Sequence, residues 1–121
     1  MMPVRFSYWS DPLCIWAFVG QKKLDDLLEE FGDRFEVVYR VVPVFGSVSW
    51  RFREGAWARD GIEGRVRKTR EIALANGHPE VQGEVWARST PSSSWAPGAA
   101  IKAVFSLEAE GKLDAGQGAT Y

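Results

Sequence analysis

The sequence predicts an α/β fold from three observations: a strand-like segment at Pro3–Trp9, an amphipathic segment at Leu13–Phe31 and a second strand-like segment at Phe35–Val42. In the first, Val4, Phe6 and Tyr8 alternate with Arg5, Ser7 and Trp9, the period of two that gives a strand two unlike faces. Ser10-Asp11-Pro12 reads as a helix start, since aspartate caps free amides and proline is favoured at the first helical position. Cys14, Phe18, Leu24, Leu27, Leu28 and Phe31 then recur at helical spacing, and the lysines and acidic residues between Lys22 and Glu30 take the other side. Gly20 inside this helix costs about 1 kcal/mol against alanine, which marks a place where another element packs closely. Gly32-Asp33 ends the helix. Phe35–Val42, rich in valine and aromatics, is the second strand, closed by Pro43. Strand, helix and strand make a βαβ unit, whose crossover joins parallel strands.

Beyond this unit the pattern weakens. Val44–Ile62 carries Phe45, Trp50, Phe52 and Trp57 among arginines and glycines with no clean period, and is expected to be an ordered aromatic loop. Glu63–Asn76 reads as a helix with a basic outer face, stopped by Asn76-Gly77 and Pro79. Val81–Ala87 fits a short strand or irregular chain, and Thr90–Ser94 a loop. Ala96–Glu110 reads as the last helix, with Pro97 in its first turn and Gly111 at its end, before a mobile stretch at Lys112–Tyr121. Two strands make a poor sheet with open edges, so either helices cover it, or another chain completes it, or the chain is part of a longer one.

Composition narrows the class. At 121 residues the chain is expected to form a single domain over 1–121, and 45% apolar residues with six Trp, seven Phe and three Tyr argue for a packed core. A formal charge of −1 gives no general pull toward nucleic acid or anionic lipid. No apolar run approaches the roughly 20 residues of a membrane span, and no secretory signal pattern precedes the first strand. A soluble, cytoplasmic protein is expected, without nucleic-acid or membrane partners. One cysteine excludes an intramolecular disulfide and a multi-cysteine zinc site, and no metal or resident cofactor is expected.

That cysteine, Cys14, is the main candidate for chemistry. The pattern places it in the first turn of the first helix, where unpaired amides and the macrodipole favour negative charge and make thiolates nucleophilic. An ionised Asp11 three residues earlier opposes this, and a small buried apolar role for the thiol stays open. The position of a resolving cysteine holds Ala17, so dithiol exchange within one chain is excluded, and monothiol chemistry or binding of a thiol such as glutathione remains. His78 reads as a general base or as a solvent-exposed turn histidine. Arg51, Arg53 and the group Arg65, Arg67, Lys68 and Arg70 read as binders of a carboxylate or phosphate, or as a solvated face balanced by Glu63 and Glu71.

The segment Ser10–Leu24 (SDPLCIWAFVGQKKL) resembles the start of the DsbA-like thioredoxin-fold proteins, in particular their cytoplasmic, polyketide-biosynthesis-type branch. That branch reads Ser-Asp, two residues, Cys-Pro-Trp-Cys-Tyr, then Val-Gly and basic residues. Ser10, Asp11, Cys14, Trp16, Val19, Gly20 and Lys22-Lys23 match it, with Ile15 in place of the proline and Ala17 in place of the second cysteine. Val37–Phe45 is similar to the family's second strand and its exit, and Ser92–Gly111 to its inserted helical region. The resemblance implies a thioredoxin-like βαβ unit over 1–45 and a helical insertion over 46–121, with the family's C-terminal ββα half, including its cis-proline, not found before Tyr121. It implies an oxidoreductase with Cys14 as nucleophile, Pro12, Ile15, Trp16 and Ala17 around the bound thiol, and glutathione as a co-substrate. The substrate would be a small thiol or a protein disulfide, and the protein a homo-oligomer. Related hydroxychromene-carboxylate isomerases and kappa-class glutathione transferases use serine at the place of Cys14 and bind glutathione, so a glutathione-dependent isomerase or transferase is a further expectation. A non-catalytic binding or dimerisation module, with the Trp50 and Trp57 loop as its interface, is another.

Overall fold

The computed structural model describes residues 2–114, and the stretch from 115 to 121, most of the segment expected to be mobile, lies outside the described residues. Mixed α/β architecture is observed: two strands and five helices among the described residues. They fall into two compact units, one formed by Phe45–Ser93 and the other by the chain on either side of it. The last helix therefore groups with the strands rather than with the middle of the chain.

The first unit holds β1 (Val4–Ser10), α1 (Ile15–Phe31), a 3-10 turn at Gly32–Arg34, β2 (Phe35–Val41) and the last helix, α5 (Trp95–Ala109). The strands pair in parallel over seven residues, from Val4 opposite Phe35 to Ser10 opposite Val41. The expected alternation holds from Arg5 to Trp9, where Phe6 and Tyr8 are half-buried and Arg5, Ser7 and Trp9 exposed, but not at Val4, which is 62% exposed. Phe6 meets Phe35 edge to face at 5.9 Å, and Tyr8 meets its register partner Tyr39 at 6.3 Å. Such cross-strand aromatic pairs each contribute roughly 0.5–1.5 kcal/mol beyond their burial.

Both helices of this unit approach the face that carries Tyr8 and Tyr39. The Tyr8 hydroxyl donates to the Ala17 carbonyl of α1 at 3.4 Å. It also occupies the space beside Gly20, where an added Cβ would lie 2.8 Å from that oxygen. The close approach expected at Gly20 is thus supplied by a tyrosine of the preceding strand. Helix α5 stacks Phe105 on Tyr39 and brings Gly98 against Val41. On α1 the buried residues are Ile15, Val19, Gln21 and Leu24, whereas Leu27, expected on the apolar face, is 38% exposed.

The second unit contains α2 (Val48–Arg53), α3 (Gly61–Ala75) and α4 (Val85–Arg88). Its core is aromatic: Phe45, Trp57 and Trp86 contact one another with ring centroids 5.2–5.7 Å apart, and Phe52 joins at Trp57. Arg51 and Arg65 lie over the Trp57 ring at 5.2 and 4.9 Å. One sequence expectation is corrected here and another is narrowed. The aromatic stretch is not all loop, because Ser47 caps the short helix α2 by accepting from the Trp50 amide. Of the two alternatives for Val81–Ala87 the irregular one holds over 81–84, and Val85 then opens α4, whose Trp86 is 2% exposed. Gly83 has φ of +72°, and its backbone passes so close to Val66 and Thr69 of α3 that a Cβ would collide. At the end of α3, Gly77 (φ +82°) and His78 return amides to the Leu74 and Ala73 carbonyls, the double bond of a Schellman cap.

No helix among the described residues is long and apolar enough to cross a membrane. Because Trp86 is the largest fully buried side chain, Trp86→Ala is expected to cost about 3–5 kcal/mol. Urea unfolding followed by far-UV circular dichroism measures this.

Candidate functional site at the start of the first helix

The link from β1 to α1 is built around Asp11, whose side chain is almost wholly buried at 1% exposure. Its Oδ1 accepts from the Leu13 amide at 2.8 Å, closing an Asx turn, and its Oδ2 accepts from the Val44 amide at 2.8 Å. The Asp11 carbonyl also accepts from the Cys14 amide at 3.1 Å. A buried carboxylate is tolerable only with such partners, and charge-assisted bonds to amides are among the stronger kinds.

This arrangement corrects the expected helix start. Asp11 does not cap the helix, because both of its oxygens are engaged elsewhere, and Pro12 lies in the turn rather than at the first helical position. Helix α1 begins at Ile15, so Cys14 is its N-cap and not a member of its first turn. The backbone of Cys14 is extended, with φ of −91° and ψ of 116°, and its carbonyl accepts the first helical bond from Phe18 at 3.0 Å. Cys14 as a residue is half-buried, and its side chain makes no capping hydrogen bond. Beside it, the amides of Ile15, Trp16 and Ala17 are the ones for which a helix offers no internal acceptor.

The residues expected around a bound thiol are thereby placed. Pro12 and Ala17 are half-buried, and Trp16 is 60% exposed. Ile15, directly after Cys14, is 7% exposed and belongs to the core. Chemically, the arrangement offers a thiol at a helix end that favours anions, and an exposed indole two residues on.

Other candidates are placed elsewhere. His78 belongs to the Phe45–Ser93 unit, and its side chain is 19% exposed rather than solvent-exposed, with Nδ1 3.4 Å from a Glu80 carboxylate oxygen. Arg65 is held by two bonds of 3.2 Å to the Thr69 hydroxyl, while Arg67 pairs with Glu71 and Arg70 with Glu84. The basic face is therefore balanced, with Glu84 where Glu63 was expected. A cleft of about 310 Å³ at this helix mixes Arg65, Arg67 and Lys68 with Asp60 and Glu71, so neither sign of charge dominates it. Among the described residues no group of three or more His, Cys, Asp or Glu side chains is placed to hold a metal.

Compared with known proteins, the chain matches no family model, no curated protein and no solved structure. The geometry of the Asp11–Ala17 segment is accordingly what bears on function.

Replacing Asp11 by asparagine is expected to set an amide NH₂ against one of the two backbone amides. It should destabilise this unit by about 1–3 kcal/mol. Amide hydrogen exchange checks this directly: Leu13 or Val44 should exchange faster in Asp11→Asn than in the parent.

Proposed function

We propose that the chain is a thioredoxin-like, DsbA-related protein in which Cys14 carries out monothiol, glutathione-linked thiol–disulfide exchange. The observation that carries this reading is the position of Cys14, a half-buried residue, at the N-cap of a 17-residue helix that follows a strand and a short turn. The parallel strand–helix–strand unit around it is compatible with such a fold. In the first step the Cys14 thiolate attacks one sulfur of a disulfide, forms a mixed disulfide and releases the other sulfur as a thiolate. Ala17 offers no second thiol, so an external thiol such as glutathione attacks next. It releases Cys14 as thiolate and leaves with the remaining half of the original disulfide. The exposed Trp16 would provide an apolar surface beside the mixed disulfide. Dependence on an external reducing thiol suits a glutathione-rich compartment such as the cytoplasm.

A second reading, a non-catalytic binding module that self-associates, is supported by one feature. The sheet face bearing Trp9 and Arg5 is exposed, with Trp9 62% accessible, while the helices approach the opposite face. Trp57, once an expected part of an interface loop, sits in the aromatic core, whereas Trp50 is 50% exposed.

Glutathione disulfide separates these readings. At neutral pH the intact protein should form a mixed disulfide at Cys14 about fivefold faster than a free peptide of sequence Ser10–Gln21, the helix end being the difference. Intact-mass kinetics measure the rate, with Cys14→Ser as the blank. A rate equal to or below that of the peptide sinks the redox reading.

A further inference from the structure

The seam between β2 and α5 holds two adjoining cavities, of about 160 and 220 Å³, which share Val41 and Lys102 as lining residues. One wall of the larger is Tyr39, Arg40 and Val41, three consecutive residues of β2. Successive side chains of a strand point to opposite faces, so three in a row mark the edge of the strand rather than one of its faces. That edge lies outward, because among the described residues β2 has β1 as its neighbour on one side and no strand on the other. The opposite wall is one stripe of α5, in which Gly98, Ala99, Ser106 and Ala109 are all small. Trp95, Lys102 and Phe105 stand between these small residues on the same wall. The stripe runs from Trp95 to Ala109, about 21 Å at the usual helical rise, which accommodates about six residues of extended chain.

Charge decides the occupant. Arg40 and Lys102 line the groove, no carboxylate does, and neither cation forms an ion pair among the described residues. We propose that the groove between the outer edge of β2 and α5 binds an extended acidic peptide segment as an added strand. Main-chain bonds to the β2 edge would supply affinity, Lys102 would select for carboxylates on the side of α5, and Arg40, the register partner of Trp9, for those on the other face. Nothing in this inference depends on Cys14.

The test uses the full chain and two fluorescein-labelled octapeptides, one alternating Val with Glu and the other alternating Val with Lys, read by fluorescence anisotropy. The Glu peptide is expected to bind saturably and the Lys peptide not. Lys102→Glu, at an exposed position, should weaken the Glu peptide about tenfold while leaving the far-UV circular dichroism unchanged. N-methylation of alternate peptide amides should abolish binding by removing the donors a strand edge needs. Equal binding of both peptides, indifference to Lys102→Glu or to N-methylation, or a Kd for the Glu peptide weaker than about 1 mM overturns the proposal. So does sedimentation showing a dimer that Lys102→Glu dissociates, since a second copy would then occupy the edge.

Discussion

The buried carboxylate of Asp11 is the constraint on which the strand–helix–strand unit depends. Its two oxygens reach Leu13, two residues on, and Val44, beyond the end of the parallel strand. One side chain thus fixes both the turn that launches α1 and the path by which the chain leaves the sheet. The Val42 amide extends the same tie by donating to the Ser10 carbonyl at 2.9 Å. Without these bonds the charge would have no reason to leave water. The position of Cys14 follows from them, because the turn consumes Pro12 and Leu13 before helical geometry begins.

Much of the fold was legible in the sequence, and the unread parts share physical causes. The strands and the three long helices show themselves by period, and their ends by Gly77, Gly111 and the residues around Gly32. Helices α2 and α4 have six and four residues, too few to display an apolar period. Only Ser47, a capping residue, signals the first of them. The helix start was displaced because Ser-Asp-Pro has the same local appearance whether aspartate caps a helix or closes an Asx turn. What distinguishes the two is Val44, 33 residues downstream, which no local pattern contains. For the candidate site, the identity of Cys14 and its closeness to a helix start were readable, whereas the inward turn of Ile15 was not.

The aromatic residues show a similar division between composition and placement. Six tryptophans announce a packed core, yet Trp9, Trp16, Trp50 and Trp95 are each at least half exposed, while Trp86 is sealed. Trp57 lies between these extremes, packed against Phe45, Phe52 and Trp86 and overlaid by two guanidinium groups. Arginines that look in sequence like an anion site are here partly occupied in covering indole and pairing with glutamates. Such groups bury their planar faces while keeping their edges hydrated.

The contact between Tyr8 and Gly20 has a consequence for how this chain can vary. The hydroxyl stands 2.8 Å from where a methyl on residue 20 would go, so a side chain there would have to displace it. Phenylalanine at position 8 would remove the hydroxyl and give up the bond to Ala17, while leaving room for alanine at position 20. Either change alone meets a void or a clash, and both together restore contact. Descendants of this sequence are therefore expected to exchange the two residues as a linked pair, each change conditional on the other.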